Sequence, residues 1–224
     1  RHHGPRISPW ETGCGYVPIA TGCRLVCDCP VLVSIATILC EGGSAKYQVP
    51  STLWEMSDMK TTERPAPELR VKRWIGKTGE VLDSPLRLSD LGTGMKVLFA
   101  FQHWCGGCHS HGFPTLQRLH SALSVRGVGF AAIQTVFEGE NENTFEKLRH
   151  NQVAYGLPIA FGHDVVEAGS NSPSLMQDYR TRGTPWFAVI DGDGRLLFSD
   201  FHLDADSLAA EVVRIDGERA VASE

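Results

Sequence analysis

The sequence has no surplus of basic charge, no apolar run long enough to span a bilayer, no internal repeat and no low-complexity tract. Each absence narrows the reading. With 21 Lys and Arg against 26 Asp and Glu, the formal net charge is −5, so there is no electrostatic basis for gripping a phosphate backbone. The apolar stretch at 31–39 falls well short of the roughly 20 residues a membrane helix needs. Neither nucleic acid nor a membrane is an expected partner. Without a repeat, 224 residues at 42% hydrophobic content read as one good-sized core, or one core plus an appendage.

An initiating Met is also missing. The chain begins Arg1-His2-His3, and its first methionines are Met56 and Met59. Seven cysteines are present, five of them in the first 40 residues, so cysteine usage divides the chain into two zones. The first zone lacks a sustained helical or strand period. Residues 1–69 are expected to be an N-terminal extension, disordered or a product of upstream read-through or a tag, with the natural start at Met56 or Met59. The competing reading takes 31–39 as the core of an export signal with Cys40 lipidated. Against it, Leu39 stands where a small residue is wanted, and a long Cys-rich lead replaces a compact basic start. A cytoplasmic location follows from the first reading, and a periplasmic or membrane-tethered one from the second. Cys23, Cys27 and Cys29 could suggest zinc, but their spacing matches no paired Cys-x-x-Cys knuckle.

From about residue 70 the pattern sharpens. Residues 71–75 with the turn 76–79 predict a short hairpin, and 86–91 a connecting segment. The run 96–102 predicts a strand covered on both faces. Residues 107–124 predict a helix with Leu116, Leu119 and Leu123 facing a core, and 128–136 a second buried strand parallel to the first. Helices are expected over 144–151 and 173–180, with a short strand at 158–161 between them. The turn Asp191-Gly192-Asp193-Gly194 joins strands at 186–190 and 195–198. A helix capped by Asp204 or a neighbour closes a domain spanning 70–215, leaving 216–224 as a tail. This order predicts an α/β fold with a central mixed sheet and helices on its faces.

Trp104-Cys105-Gly106-Gly107-Cys108-His109 falls where a buried strand ends and a helix begins. A free thiol is only about 3% thiolate at pH 7, whereas the unpaired amides of a helix N-terminus can lower a thiol to about 7 or below. Cys105, at the helix start, is expected to attack, and Cys108, one turn on and deeper, to resolve the mixed disulfide. Gly106 and Gly107 permit the tight geometry but not the rigidity of a Pro. We therefore expect a reduction potential less negative than the roughly −270 mV of thioredoxin.

Trp-Cys-x-x-Cys after an apolar strand, Pro114 in the following helix and Thr184-Pro185 opening a later strand resemble the thioredoxin superfamily. Within it they resemble the redoxin branch, which comprises TlpA-like thiol–disulfide reductases and the alkyl hydroperoxide reductase/thiol-specific antioxidant group. The resemblance covers about 70–215. It implies a three-layer thioredoxin-like fold with an N-terminal hairpin and an insertion, containing 138–156, before the cis-Pro strand. It further implies a cis bond at Pro185 and a substrate-positioning role for Thr184, Pro185 and Trp104. Disulfide-containing proteins or small thiols would be the substrates, with an upstream reductant and no cofactor. Three departures stand out. The dipeptide lacks Pro, Pro114 sits one residue later than usual, and Phe99 stands where thioredoxin buries a proton-shuttling Asp. His103 or His109, which titrate near neutrality, or a water could replace that acid.

Rival readings are narrower. Two inert buried thiols would be an unusual choice around Gly-Gly at such a junction. Cys-x-x-Cys-His also marks c-type haem attachment, which would leave the strand and Thr-Pro without a reason. His103, Cys105, Cys108, His109 and His111 are ligand types for zinc or copper, yet His109 and His111 do not share a helix face. A peroxidase would want Thr or Ser a few residues before its nucleophile, and this chain has Gln102-His103-Trp104. A redox-inactive binding module on the same scaffold is the remaining alternative.

Overall fold

The computed structural model describes residues 23–26, 35–40, 43–48 and 64–222, with side chains over 64–217. The chain divides into two compact units, Arg1–Asp58 and Met59–Glu224. In the first, β1 (Cys23–Val26), β2 (Ile35–Cys40) and β3 (Gly43–Gln48) form a three-stranded antiparallel sheet. Cys27, Cys29 and the first part of the apolar stretch 31–39 lie outside the described residues.

The second unit is built on a seven-stranded mixed sheet. Its strands are β4 (Arg64–Pro65), β5 (Arg73–Ile75), β6 (Lys96–Phe101), β7 (Gly129–Val136), β8 (Ala160–Val165), β9 (Trp186–Ile190) and β10 (Arg195–Asp200). They lie in the order β4-β10-β9-β6-β7-β8-β5. β6, β7 and β8 are parallel, and the remaining pairs are antiparallel. β6 and β7 are buried at every position, as expected of central strands covered on both faces. The hairpin expected near the N-terminus keeps its turn, in which Gly76 N–H donates to Glu80 O and Leu82 N–H to Trp74 O. Its return arm is a single bridge, Ile75 to Val81, and β5 pairs instead with β8.

Four α-helices pack on the sheet: α1 (Phe113–Leu123), α2 (Glu146–Ala154), α3 (Ser174–Tyr179) and α4 (Ala205–Ala222). Leu116, Leu119 and Leu123 of α1 are fully buried, at the helical spacing read from the sequence. Asp204 caps α4, its Oδ1 accepting Ser207 N–H at 2.7 Å. β6 alternates between two cores. Val97, Phe99 and Phe101 face the side that holds α1, α4 and Cys108, while Leu98 and Ala100 face the side that holds Trp74, Tyr179 and Trp186. Among the described residues no helix is long and apolar enough to cross a membrane.

Candidate active site

β6 delivers the chain to the edge of its own core and stops, because Gln102 O turns back to accept Cys105 N–H at 3.2 Å. The next turn is wound around one atom. Cys105 O accepts both Cys108 N–H at 3.0 Å and His109 N–H at 3.3 Å, and Cys108 N–H also lies 3.3 Å from Cys105 Sγ. Cys105 is half-buried, whereas Cys108 is completely buried. Burial pushes the Cys108 thiol far above its ordinary range, and its contact with Cys105 pushes the same way.

Cys108–Gly112 is a π-turn, with Phe113 N–H donating to Cys108 O, before α1 continues in α geometry. A π-turn takes up one extra residue. That accounts for Pro114, which the sequence places one position late and which here is the second residue of α1, directly after the π-turn.

The Thr184–Pro185 bond is cis. Cys105 Sγ–H donates to Thr184 O at 3.5 Å, so the loop before β9 lies against the exposed sulfur. The glycines of the turn are small for different reasons. A Cβ on Gly107 would sit 3.3 Å from Pro185 Cδ, and one on Gly112 would sit 2.6 Å from the Phe99 ring and 3.0 Å from Pro185 Cβ. Gly106 faces open space. Trp104 is 51% exposed beside Cys105, so it is not a core filler, and its indole lies against Gly139.

Beneath the cysteines the surroundings are aromatic. Phe99 is fully buried, stacked on Phe187 at 4.9 Å and edge-on to Phe113 at 5.1 Å. The two histidines next to the motif are both tied into hydrogen bonds. His109 Nε2–H donates to His103 O at 2.5 Å, which leaves Nδ1 to accept the Tyr155 hydroxyl, also at 2.5 Å. His103 N–H donates to Asn143 Oδ1 at 2.7 Å, and its ring Nδ1 lies 3.2 Å from Asn151 Oδ1. Burial lowers the His103 pKa below its ordinary value, against the opposing effect of Asn151. Among the described residues no group of three or more His, Cys, Asp or Glu is placed to hold a metal ion. His111 turns instead to Ser110.

Three residues here carry no local sequence signal. Asn143 is buried and pins the 138–143 loop, its Nδ2 donating to Glu138 O and Gly139 O while its Oδ1 holds His103. Asn151 and Tyr155 come from α2 and its C-terminus, more than 40 positions along the chain from the histidines they meet. Only the expected insertion at 138–156 pointed to this stretch, and not to any residue within it.

No family profile and no curated protein matches the chain. Solved structures do. A thioredoxin-like superfamily protein is 30% identical with a TM-score of 0.58, covering 67% of this chain and 94% of its own. A thiol-disulfide isomerase from Corynebacterium glutamicum is 28% identical with a TM-score of 0.56, covering 66% of this chain and 95% of its own. An uncharacterized conserved protein from Geobacillus kaustophilus, at 23% identity and a TM-score of 0.51, shares the fold. Together with the seven-stranded mixed sheet and a cysteine pair where β6 meets its helix, these likenesses assign the chain to the thioredoxin-like superfamily.

Proposed function

We propose that this protein is a thiol–disulfide oxidoreductase of the redoxin branch, working through Cys105 and Cys108. The observation that carries the reading is the pose of Cys105 Sγ, half-exposed, with the Cys108 amide 3.3 Å away and Thr184 O at 3.5 Å. An amide N–H aimed at sulfur is the partner a thiolate needs. Cys105 attacks a substrate disulfide, one substrate sulfur leaves as a thiol, and the other stays bonded to Cys105. Cys108 then attacks Cys105 Sγ, forming the intramolecular disulfide and releasing the second substrate thiol. Two electrons pass from the pair to the substrate, and an upstream reductant restores them. Thr184, Pro185 and Trp104 line the approach to Cys105 and position the substrate chain. The likeness to a protein named as a thiol-disulfide isomerase supports the same reading.

With Phe99 in place of an acid, His103, His109 or a water takes up the proton that Cys108 gives off; His109 follows Cys108 in the chain, and its Nδ1 accepts the Tyr155 hydroxyl. The test is turnover of a disulfide substrate by three forms. The wild type reduces it, Cys105→Ser does not, and Cys108→Ser accumulates a mixed disulfide at Cys105 visible by mass. Full activity in Cys105→Ser would reject the reading, as would sulfenate formation with hydrogen peroxide that is faster than disulfide exchange.

A further inference from the structure

The pairing of β6 with β7 ends at Phe101 and Gln134, so the His103 amide lies beyond the ladder and has to find its acceptor elsewhere. Asn143, 40 positions along the chain, supplies it: its Oδ1 accepts His103 N–H at 2.7 Å. Its Nδ2 donates the other way, to Glu138 O at 3.1 Å and Gly139 O at 3.0 Å. The Asn143 main chain is held as well, its N–H donating to Gly139 O at 3.0 Å and its carbonyl accepting His163 Nε2–H from β8 at 2.8 Å. Gln102, buried just past β6, donates Nε2–H to the same Glu138 O at 3.4 Å. Asn143 is 1% exposed, and none of its polar atoms is idle.

Trp104 stands between these two sets of bonds. Its main chain follows directly on His103, and its indole rests on Gly139, where a Cβ would lie 2.9 Å from Trp104 Nε1 and 3.3 Å from Asn143 Nδ2. One atom of the Asn143 side chain therefore holds the residue before Trp104, and the other holds the residue under its ring. Cys105 comes next in the chain, its N–H bonded to Gln102 O. Resting on the oxidoreductase reading above, we propose that Asn143 is a positioning residue that fixes Trp104 as a wall of the approach to Cys105, favouring disulfides carried on a peptide over small disulfides. A peptide presents backbone and side chains around its sulfurs and gains contact area from an ordered indole, whereas a small disulfide reaches Cys105 Sγ with little else.

Trp104 is 51% exposed, so core packing does not hold its ring in place, and the contact with Gly139 carries that task. Removing the Asn143 amide leaves His103 N–H without its acceptor and frees Gly139 from the side chain that pins it. Trp104 is then ordered only as substrate binds. That cost falls on binding rather than on the exchange of sulfurs, so it appears in KM more than in kcat. Gly139 gives a second way into the same contact. Its φ is 61°, and an added methyl group meets the indole from the loop side.

The experiment is steady-state reduction of a disulfide-bonded peptide by the full chain, with a small aromatic disulfide run in parallel. Asn143→Ala should raise KM for the peptide about tenfold, and for the small disulfide several-fold less. The fluorescence of Trp104, obtained by difference from Trp104→Phe, should shift to the red and become more readily quenched by acrylamide. In a Trp104→Ala background, Asn143→Ala should add less than about twofold, because the ring it positions is gone. Gly139→Ala should reproduce the KM and fluorescence changes, and it carries the test if Asn143→Ala does not fold. Asp164→Asn, which disturbs a buried polar group on the other face of the sheet, should lower Tm without moving KM. A KM rise that is equal with and without Trp104, or equal for peptide and small disulfide, would overturn the proposal, as would an unmoved Trp104 signal. Cys105→Ser separates the two readings. An inactive Cys105→Ser beside unaltered Asn143→Ala and Gly139→Ala rejects the positioning role alone, whereas full turnover by Cys105→Ser rejects the oxidoreductase reading and the positioning role with it.

Discussion

The two faces of the central sheet hold their buried polar groups in opposite ways. On one face lie Cys108, Phe99, Phe101 and Phe113, with histidines and asparagines beside them, and among the described residues no buried carboxylate other than Asp164 is found. On the other face a carboxylate is buried and fully used. Asp164, at the end of β8, accepts Ser174 N–H and Oγ–H on Oδ1 and Leu175 N–H on Oδ2, at 2.8–3.1 Å. It serves as the missing cap of α3, whose N-cap is Pro173 and offers no side-chain hydrogen bond. A buried acid is thus spent on architecture where no chemistry is proposed, and is absent where a thioredoxin-like site would use one. The lesson is that the same sheet can bury an acid as a helix cap on one face and pack only aromatic rings near its cysteines on the other.

Substitutions on each face sharpen that contrast, beginning with the largest effect. Phe99→Ala removes a ring in contact with Phe101, Phe113 and Phe187 and should destabilise by about 3–5 kcal/mol in denaturant titration. It should also lower redox activity, because the floor beneath Cys108 and Gly112 is lost. Gly112→Ala forces a methyl group against Phe99 and Pro185, which should destabilise by about 1–3 kcal/mol and impair disulfide exchange together. Asp164→Asn sets an amide N–H against an N–H donor, which should destabilise by about 1–2 kcal/mol while leaving exchange rates unchanged. Exchange impaired as strongly by Asp164→Asn as by Gly112→Ala would erase the distinction between the faces.

The smallest effect is in pH, and its sign differs between the faces. Burial lowers the pKa of His103 and of His163, so the unfolded chain binds protons near pH 6.5 where the folded one does not. Their contribution to stability is complete above that value and is lost as pH falls through the lowered folded values. Burial raises the pKa of Asp164 despite its hydrogen bonds, so its contribution is complete at low pH and is lost as pH rises through the raised folded value. Thermal melts should show a lower Tm at pH 5.5 than at pH 7.5, and His163→Gln should flatten that acid limb. An acid limb unchanged by His163→Gln would remove the histidine side of the contrast.

How much of this was legible depends on whether the cause is local. Strands β6 and β7 announce themselves as apolar runs, the β9–β10 turn as Asp-Gly-Asp-Gly, and α1 by its leucine spacing. The cysteine pair and Thr184-Pro185 were legible as motifs. The partner of β5 was not, because pairing with β8 is set by closure of the sheet rather than by its own residues. Nor was Arg64–Pro65 as an edge strand on β10, since two residues carry no period. The π-turn left only an indirect trace, a Pro one position late. Asn143, Asn151 and Tyr155 left none, for their roles exist only once α2 lies beside the motif.

At the centre of the account is the asymmetry between one accessible sulfur and one enclosed sulfur. Brief alkylation of the reduced protein at neutral pH, followed by peptide mass analysis, tests it most directly. The label should fall on Cys105, with Cys108 modified only after denaturation. Equal labelling of the two, or Cys108 labelled first, would contradict it.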